Sequence, residues 1–218
     1  MLKRFTQEHM VPIMRKNHFK KNGLTWRRQD GTITHIVELQ ASQWNDSESQ
    51  AFTINYGTLL ERLWLILWGG EPPSSIGGGD CFPRFRIGEL TDTYTTDVWW
   101  TLNAKSNDKV SGEVQQLLET EVLRNLNGCN SIDKMLSLAD REERWKQPAD
   151  RISYAILSHL NRQHDSCEKI LNEIIANDKL AAWGDRVKQV KERLKCAQFV
   201  PLQRDGPSPK RECRGPAR

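Results

Sequence analysis

The chain lacks any apolar run that is long enough to cross a bilayer. Its longest apolar run extends from Leu63 to Trp68, whereas a membrane-spanning helix needs about 20 apolar residues. The first residues, Met1 to Phe5, are not followed by the apolar stretch that a secretory signal peptide requires. The sequence therefore predicts a cytoplasmic protein that has no contact with a membrane.

Cysteine is scarce, and its spacing is not that of a disulfide-rich or zinc-binding protein. No two cysteines form a Cys-x-x-Cys pair, and their number is odd. His159 and His164 are five residues apart with no glutamate after the first, so they do not form a His-Glu-x-x-His metal motif. We therefore expect neither a disulfide framework, nor a metal, nor a cofactor. The cysteines are Cys81, Cys129, Cys167, Cys196 and Cys213.

Signature motifs of common enzymes are also missing. The chain has no Gly-x-Ser-x-Gly elbow, and Gly77–Asp80 is not followed by the Gly-Lys-Ser/Thr of a nucleotide-binding loop. Cys81 lies near Arg84, a neighbour of the kind that lowers the pKa of a thiol, and His35 lies on the apolar face of a predicted strand. We expect no catalytic residue. The alternative is a small-molecule enzyme that uses residues 69–83 as a lid or anion cradle, with Cys81 or His35 in catalysis.

Positive charge is concentrated at the two ends of the chain. The net charge is +4 over 218 residues. Residues 1–35 have eight basic against two acidic residues, residues 204–218 have five against two, and the middle is acidic. Basic ends are a feature of nucleic-acid-binding proteins, but the sequence has no base-stacking motif and no recognition-helix pattern. We favour solvated basic faces, and nucleic-acid binding through the termini is the weaker alternative.

The first half of the chain has the pattern of a helix followed by antiparallel strands. Apolar residues at helical spacing predict an N-terminal helix over residues 2–16, in which Pro12 restricts the backbone. Asp30-Gly31 between two β-like runs predicts a hairpin, and residues 59–67 fit a strand and a helix equally. Strands are predicted at residues 24–28, 33–43, 51–59, 84–88 and 98–102.

The second half changes to helical spacing. Between the halves, the glycines and prolines of residues 69–83 predict a long loop without regular structure. The predicted architecture is a single α+β domain over residues 1–200. It combines an antiparallel sheet of about five strands in residues 1–105, flanked by the N-terminal helix, with a C-terminal set of helices in residues 110–200. Residues 201–218 are rich in Pro, Gly and Arg and predict a disordered basic tail.

One face of the predicted sheet combines cationic and aromatic side chains. Arg84 and Arg86 are two residues apart, so a strand places both guanidinium groups on one face. Trp99 and Trp100 point to opposite faces if their segment is extended, and Arg27 or Arg28 joins the same surface from the first strand. Such a face suits an acidic protein partner, a carboxylate or a phosphate. The alternative is that the arginines neutralise acidic groups such as Glu38 or Glu89. The candidate binding residues are Arg27, Arg84, Arg86, Trp99 and Trp100.

Short motifs in a fixed order connect the chain with a known family. They are Phe19-Lys20-Lys21-x-Gly23-x-Thr25-Trp26, then Ile36-Val37-Glu38-Leu39-Gln40-x-Ser42, then Phe52-Thr53-Ile54-Asn55-Tyr56-Gly57, and finally Arg84-x-Arg86-Ile87-Gly88 with Trp99-Trp100. Together they resemble the mainly bacterial family called domain of unknown function 4304, over about residues 2–125.

The resemblance implies a helix-flanked antiparallel sheet in a bacterial protein that stands alone. It also implies that the protein acts as an immunity-type or other binding partner of a second protein. The resemblance supplies no catalytic residue. Arginine and tryptophan are enriched among the residues that dominate protein interfaces. Since catalytic motifs are missing as well, we expect a non-enzymatic protein-binding module that uses the cationic, aromatic face of the sheet.

Overall fold

The computed structural model describes residues 1–90, 98–105 and 107–197. Within these residues, an antiparallel sheet of six strands is flanked by an N-terminal helical segment and a C-terminal group of helices. The α+β class predicted from the sequence is therefore confirmed. The tail expected at residues 201–218 lies outside the described residues. No helix in the described part of the chain is long and apolar enough to cross a membrane.

The strands lie close to where the period-two patterns predict them. The hairpin predicted at Asp30-Gly31 is present, and Gly31 has the positive φ, +57°, that its turn requires. The last two strands are three residues each, shorter than predicted. The strands are β1 (Lys20–Asn22), β2 (Thr25–Asp30), β3 (Ile33–Ala41), β4 (Gln50–Leu60), β5 (Arg84–Arg86) and β6 (Trp100–Leu102).

The N-terminal helical segment confirms the helix predicted over residues 2–16. It is α-helical at α1 (Leu2–Phe5), π-helical at Thr6–Met10 and α-helical again at α2 (Val11–Lys16). Pro12 lies in the first turn of α2, directly after the π-helical turn. The later helices are α3 (Glu61–Trp68), α4 (Asn107–Leu117), α5 (Leu123–Gly128), α6 (Ile132–Arg141), α7 (Pro148–Leu160), α8 (His164–Ala176) and α9 (Gly184–Ala197).

The sheet is a meander in which β4 is the central strand. Strands β1 to β5 pair in chain order, and β6 also pairs with β4. Because β4 has 11 residues, one of its edges accommodates β5 at Asn55–Gly57 and β6 at Gln50–Phe52. The long strand therefore organises the whole sheet.

The two faces of the sheet have different coverings. Trp26, Val37, Tyr56 and Phe85 are cross-strand neighbours on the core face, and the helices pack against this face. The side-chain amide of Asn125 on α5 donates to the Tyr56 hydroxyl at 3.0 Å. This buried contact fixes the helical layer against the sheet.

Residues 69–83 lie back over the opposite, outer face of the sheet. Ile76 and Cys81 from this loop pack with Ile36 and Leu59 in a small second cluster. The approach needs glycine on both sides. A Cβ on Gly57 would lie 2.7 Å from the Pro83 carbonyl oxygen, and a Cβ on Gly78 would lie 2.7 Å from that of Asn55. The loop is therefore a fixed wall on this face.

Two local expectations are corrected by the structure, and one open alternative is resolved. The strand expected at residues 84–88 ends at Arg86, because the Arg86 backbone N–H donates to Glu89 Oε2 at 3.0 Å and a 3-10 turn follows. The loop expected to have no regular structure contains a 3-10 turn at Gly78–Asp80. The ambiguous residues 59–67 divide between the end of β4 and helix α3.

Candidate functional site

The arginines and tryptophans predicted to form a binding face divide between the two faces of the sheet. Arg84 and Arg86 lie on the outer face, as their spacing predicts, and the Arg86 guanidinium lies 6.0 Å from the ring centroid of Trp99. Trp100 instead lies on the core face beside Phe52 and is 5% exposed. Trp100 is therefore a core residue and is removed from the candidate binding set.

Arg84 and Arg86 are engaged within the molecule. Arg84 donates to the Gly79 carbonyl oxygen at 3.1 Å and lies 3.3 Å from the carboxylate of Asp150 on α7. Arg86 donates through Nε to Asn55 Oδ1 at 3.0 Å. These contacts join β5 to the 69–83 loop, to α7 and to β4. They give both arginines an internal, structural use.

The glycine-rich turn predicted as an anion cradle already holds carboxylates of the chain itself. The Gly77 N–H donates to Asp80 Oδ2 at 2.9 Å, and the Gly78 N–H donates to Glu38 Oε2 at 3.0 Å. Cys81 is 2% exposed, and burial, with Asp80 and Glu38, raises the pKa of its thiol. The lowering effect of Arg84 is smaller than these, so Cys81 is not arranged as a thiolate nucleophile.

His35 is fully buried on the core face between Arg28 and Thr58. Neither ring nitrogen has a hydrogen-bond partner within the described part of the chain, and Nε2 lies 4.0 Å from Asp30 Oδ2. Burial, helped by the Arg28 charge, lowers the pKa of His35 to about 4. A neutral imidazole without solvent access is poorly placed to act on a solute.

An open groove lies at the β1–β2 edge of the sheet, and its volume is about 840 Å³. Its basic lining comes from the β1–β2 edge, next to His18: Lys20 and Arg27 lie on the outer face of the sheet, and Lys21 and Arg28 lie on the core face. The rest of the lining is largely apolar. Its residues come from the outer face of the sheet and from the 69–83 loop: Leu59, Pro72, Pro73 and Ile76. We call this feature the basic groove.

The cations of the basic groove form no ion pair with the described residues of the protein. None of the side chains of Lys20, Lys21, Arg27 and Arg28 forms an ion pair with the described residues. Of the described residues that line the groove, one is acidic, Asp30. Elsewhere in the molecule, carboxylates pair with Arg84, Arg144 and Arg151, among others. The groove is therefore a local excess of positive charge.

The cationic groups of the groove are held in place by neutral contacts. Arg27 donates to the Ile76 carbonyl oxygen and so joins β2 to the loop wall. The Arg28 guanidinium lies 4.7 Å from the ring centroid of Phe19 and donates to Asn127 Oδ1 at 2.7 Å. Lys21 Nζ lies 5.6 Å from the ring centroid of Trp26. Burial lowers the pKa of Arg28, but an arginine stays charged at neutral pH.

Sequence reasoning found Arg27 and missed the two lysines. β1 is a three-residue strand of sequence Lys-Lys-Asn, whose composition does not favour a strand. A signal was present in the turn residues Asn22-Gly23, where Gly23 has a φ of +60°. This turn folds β1 onto β2 and pairs Lys20 with Arg27. The basic excess counted over residues 1–35 is partly gathered by this hairpin.

No group of three or more His, Cys, Asp or Glu side chains suited to a metal ion occurs in the described part of the chain. His159 and His164 do meet, with their Nδ1 atoms 3.1 Å apart. Burial, with the charges of His164 and Arg62, lowers the pKa of His159. Cys167, Glu168, Lys191 and Lys195 line the same cavity.

The fold and the groove define an α+β domain that carries a basic groove at one edge of its sheet. The family model described as Domain of unknown function (DUF4304) matches residues 10–128. The chain belongs to this family. No curated protein and no solved structure matches the chain. The matched residues include the whole lining of the basic groove, whereas α6 to α9 follow the matched region.

Proposed function

We propose that this protein is a non-enzymatic binding module that holds an acidic segment of a protein partner in the basic groove. The observation that carries the proposal is the set of four cationic side chains that line the groove and form no ion pair with the described residues. The protein-binding function expected from the sequence is kept, and the surface moves from β5 to the β1–β2 edge. Arg27 belongs to both surfaces.

The composition of the groove favours a polypeptide over a nucleic acid. Its second wall, built from Leu59, Pro72, Pro73 and Ile76, offers apolar contacts to side chains of a peptide. Single-stranded nucleic acid is usually held by exposed aromatic rings on which bases stack, and none of the described residues that line this groove is Trp, Tyr or Phe. Binding of nucleic acid is therefore an outcome that the test below must detect.

The partner is expected to bind through side chains rather than by adding a strand to the sheet. β1 is the edge strand on this side of the sheet and is only three residues long. Short edge strands that carry lysine discourage pairing with another strand. Carboxylates of the partner would instead meet Lys20, Lys21 and Arg28, and the charge attraction makes binding salt-dependent.

The test is binding of a fluorescent oligo-glutamate peptide, measured by anisotropy at low and high salt. The variant K20E/K21E is expected to bind at least about tenfold more weakly, which is about 1.4 kcal/mol, because two attractions become repulsions. The matched control is K109E/K169E, which makes the same charge change on exposed helical positions of α4 and α8. It should bind like the wild type.

Two results would contradict the proposal. An equal loss of peptide binding in K20E/K21E and K109E/K169E would show that binding depends only on the net charge of the protein. Binding of a labelled single-stranded RNA as tight as that of the peptide, and lost in the same variant, would assign the groove to nucleic acid instead.

A further inference from the structure

Trp44 stands out on the surface of the molecule because it is 84% exposed. It lies in the loop that connects β3 to β4, outside every contact that defines the basic groove. An exposed tryptophan offers a large, rigid apolar surface, and this residue type often anchors protein interfaces. Neither the core nor the groove accounts for its position.

The β3–β4 loop holds Trp44 on a fixed backbone. Asn45 Oδ1 accepts from the Ala51 N–H at 2.6 Å, and Asn45 Nδ2 donates to the Ala51 carbonyl oxygen at 2.9 Å. Asp46 Oδ1 accepts from the N–H groups of Glu48 and Ser49 at 2.8 and 2.7 Å. A loop that is ordered before binding loses less conformational entropy when it docks.

The same loop is acidic. Residues 42–50 contain Asp46 and Glu48 and no lysine or arginine. Hydrogen bonds from the backbone of Ser49 and Glu48 hold the pKa of Asp46 below its usual range, so its carboxylate remains charged. Negative charge beside Trp44 opposes an anionic lipid surface or a nucleic acid and favours a partner surface that combines cations with an apolar wall.

The basic groove of this protein is a surface of that kind. It places Lys20 and Arg27 on the same face of the sheet as the apolar wall of Leu59, Pro72, Pro73 and Ile76, with Lys21 and Arg28 at the same edge. Loop and groove lie toward opposite ends of the sheet. Thr34 in the groove and Ala41 at the base of the loop are seven residues apart on β3, about 23 Å. Trp44 is 84% exposed and is not among the described residues that line the groove of its own molecule, so the groove that receives it would be that of a second copy.

We propose that the β3–β4 loop of one copy docks into the basic groove of a second copy, with Trp44 against the apolar wall and Asp46 and Glu48 beside the cations. The inference rests on the proposed function of the groove and names its acidic partner as another copy of this chain. The contact is head-to-tail, so a pair of copies keeps one free loop and one free groove. Such interfaces close into rings or extend as chains.

The experiment is sedimentation velocity on the full chain and on two variants, W44S and K20E/K21E. The wild type should form oligomers that grow with protein concentration and dissociate at high salt. Each variant alone should be monomeric, because W44S lacks the loop anchor and K20E/K21E lacks the groove cations. An equimolar mixture should form a 1:1 dimer and nothing larger, since one intact loop meets one intact groove. The control W145S removes a partly exposed tryptophan elsewhere and should assemble like the wild type.

A wild type that stays monomeric up to its highest soluble concentration would overturn the inference, and so would a W44S variant that assembles unchanged. The proposed function is judged separately with W44S, whose groove is intact. If W44S binds oligo-glutamate like the wild type, the groove function stands whatever the sedimentation result. If neither protein binds the peptide, the proposed function itself fails.

Discussion

At the scale of single residues, burial determines what His35 and Cys81 can do. The sequence places His35 on an apolar strand face and Cys81 near an arginine, and both placements are correct. It gives no measure of how completely the 69–83 loop and the helices cover them. Residue 35 is 0% exposed and residue 81 is 2% exposed, so each is held in its neutral form.

His35 makes the folded state sensitive to mild acid. Its pKa is about 4 in the fold, against 6.5 for a free histidine, so the unfolded chain binds a proton first as pH falls. The contribution is complete above pH 6.5 and is lost as pH falls from 6.5 to about 4. Between pH 7 and pH 5 the free energy of unfolding should fall by about 2 kcal/mol from this group.

The variant H35Q should show a flatter pH dependence of the unfolding free energy over that range, measured by urea denaturation. A slope in H35Q equal to that of the wild type would show that His35 is not buried in its neutral form.

The alternation of residues along a strand predicts which face of the sheet a side chain occupies better than it predicts which residue that side chain contacts. The two-residue spacing of Arg84 and Arg86 gives their common face correctly, and the pair Trp99-Trp100 supplies one core residue, Trp100. The partner of Arg84, however, is Asp150, which lies 66 positions later in the chain. No local pattern contains that contact, so the arginine pair resembles a free binding surface when read from the sequence.

At the scale of elements, the Arg84 side chain connects three parts of the fold. It connects β5 with the 69–83 loop through the Gly79 carbonyl oxygen and with α7 through Asp150. Burial raises the pKa of Asp150, and the Arg84 charge opposes this rise. Removing the guanidinium leaves a largely buried carboxylate with less compensation.

The variant R84A should therefore be less stable and should still bind oligo-glutamate. The Arg84 side chain is 42% exposed, so we expect a loss of only about 1 kcal/mol. For a chain of this length, that corresponds to a fall in Tm of about 2–4 °C. The control R4A breaks an exposed pair with Glu8 and should change Tm less. Loss of peptide binding with an unchanged Tm would restore Arg84 to the binding surface.

Some elements could be predicted and others could not, for physical reasons. The Asp30-Gly31 hairpin carries its turn chemistry in two adjacent residues, so the sequence reveals it. β1 is stabilised by its pairing with β2 rather than by its own composition, so local sequence patterns do not predict it. The glycines and prolines of residues 69–83 predict a loop, but the return of this loop onto the sheet depends on the distant glycine at position 57.

At the scale of the whole molecule, folding determines which charged residues lie next to each other. The sequence shows a basic N-terminal segment over residues 1–35, and the fold gathers Lys20, Lys21, Arg27 and Arg28 at one edge of the sheet. The acidic β3–β4 loop lies toward the other end. This polarity follows from the order of the strands, which the sequence patterns leave open. The groove and the loop together give the account its central claim, recognition of an acidic protein segment.

The most direct test of that claim is an NMR titration of the isotope-labelled full chain with unlabelled oligo-glutamate peptide. Backbone amide shifts should concentrate at residues 18–22 and 27–30 and at Ser74, which all border the basic groove, and should vanish at high salt. Shifts that are spread over the basic residues of α7 to α9, or that centre on β5, would contradict the account. That result would place the binding surface elsewhere on the molecule.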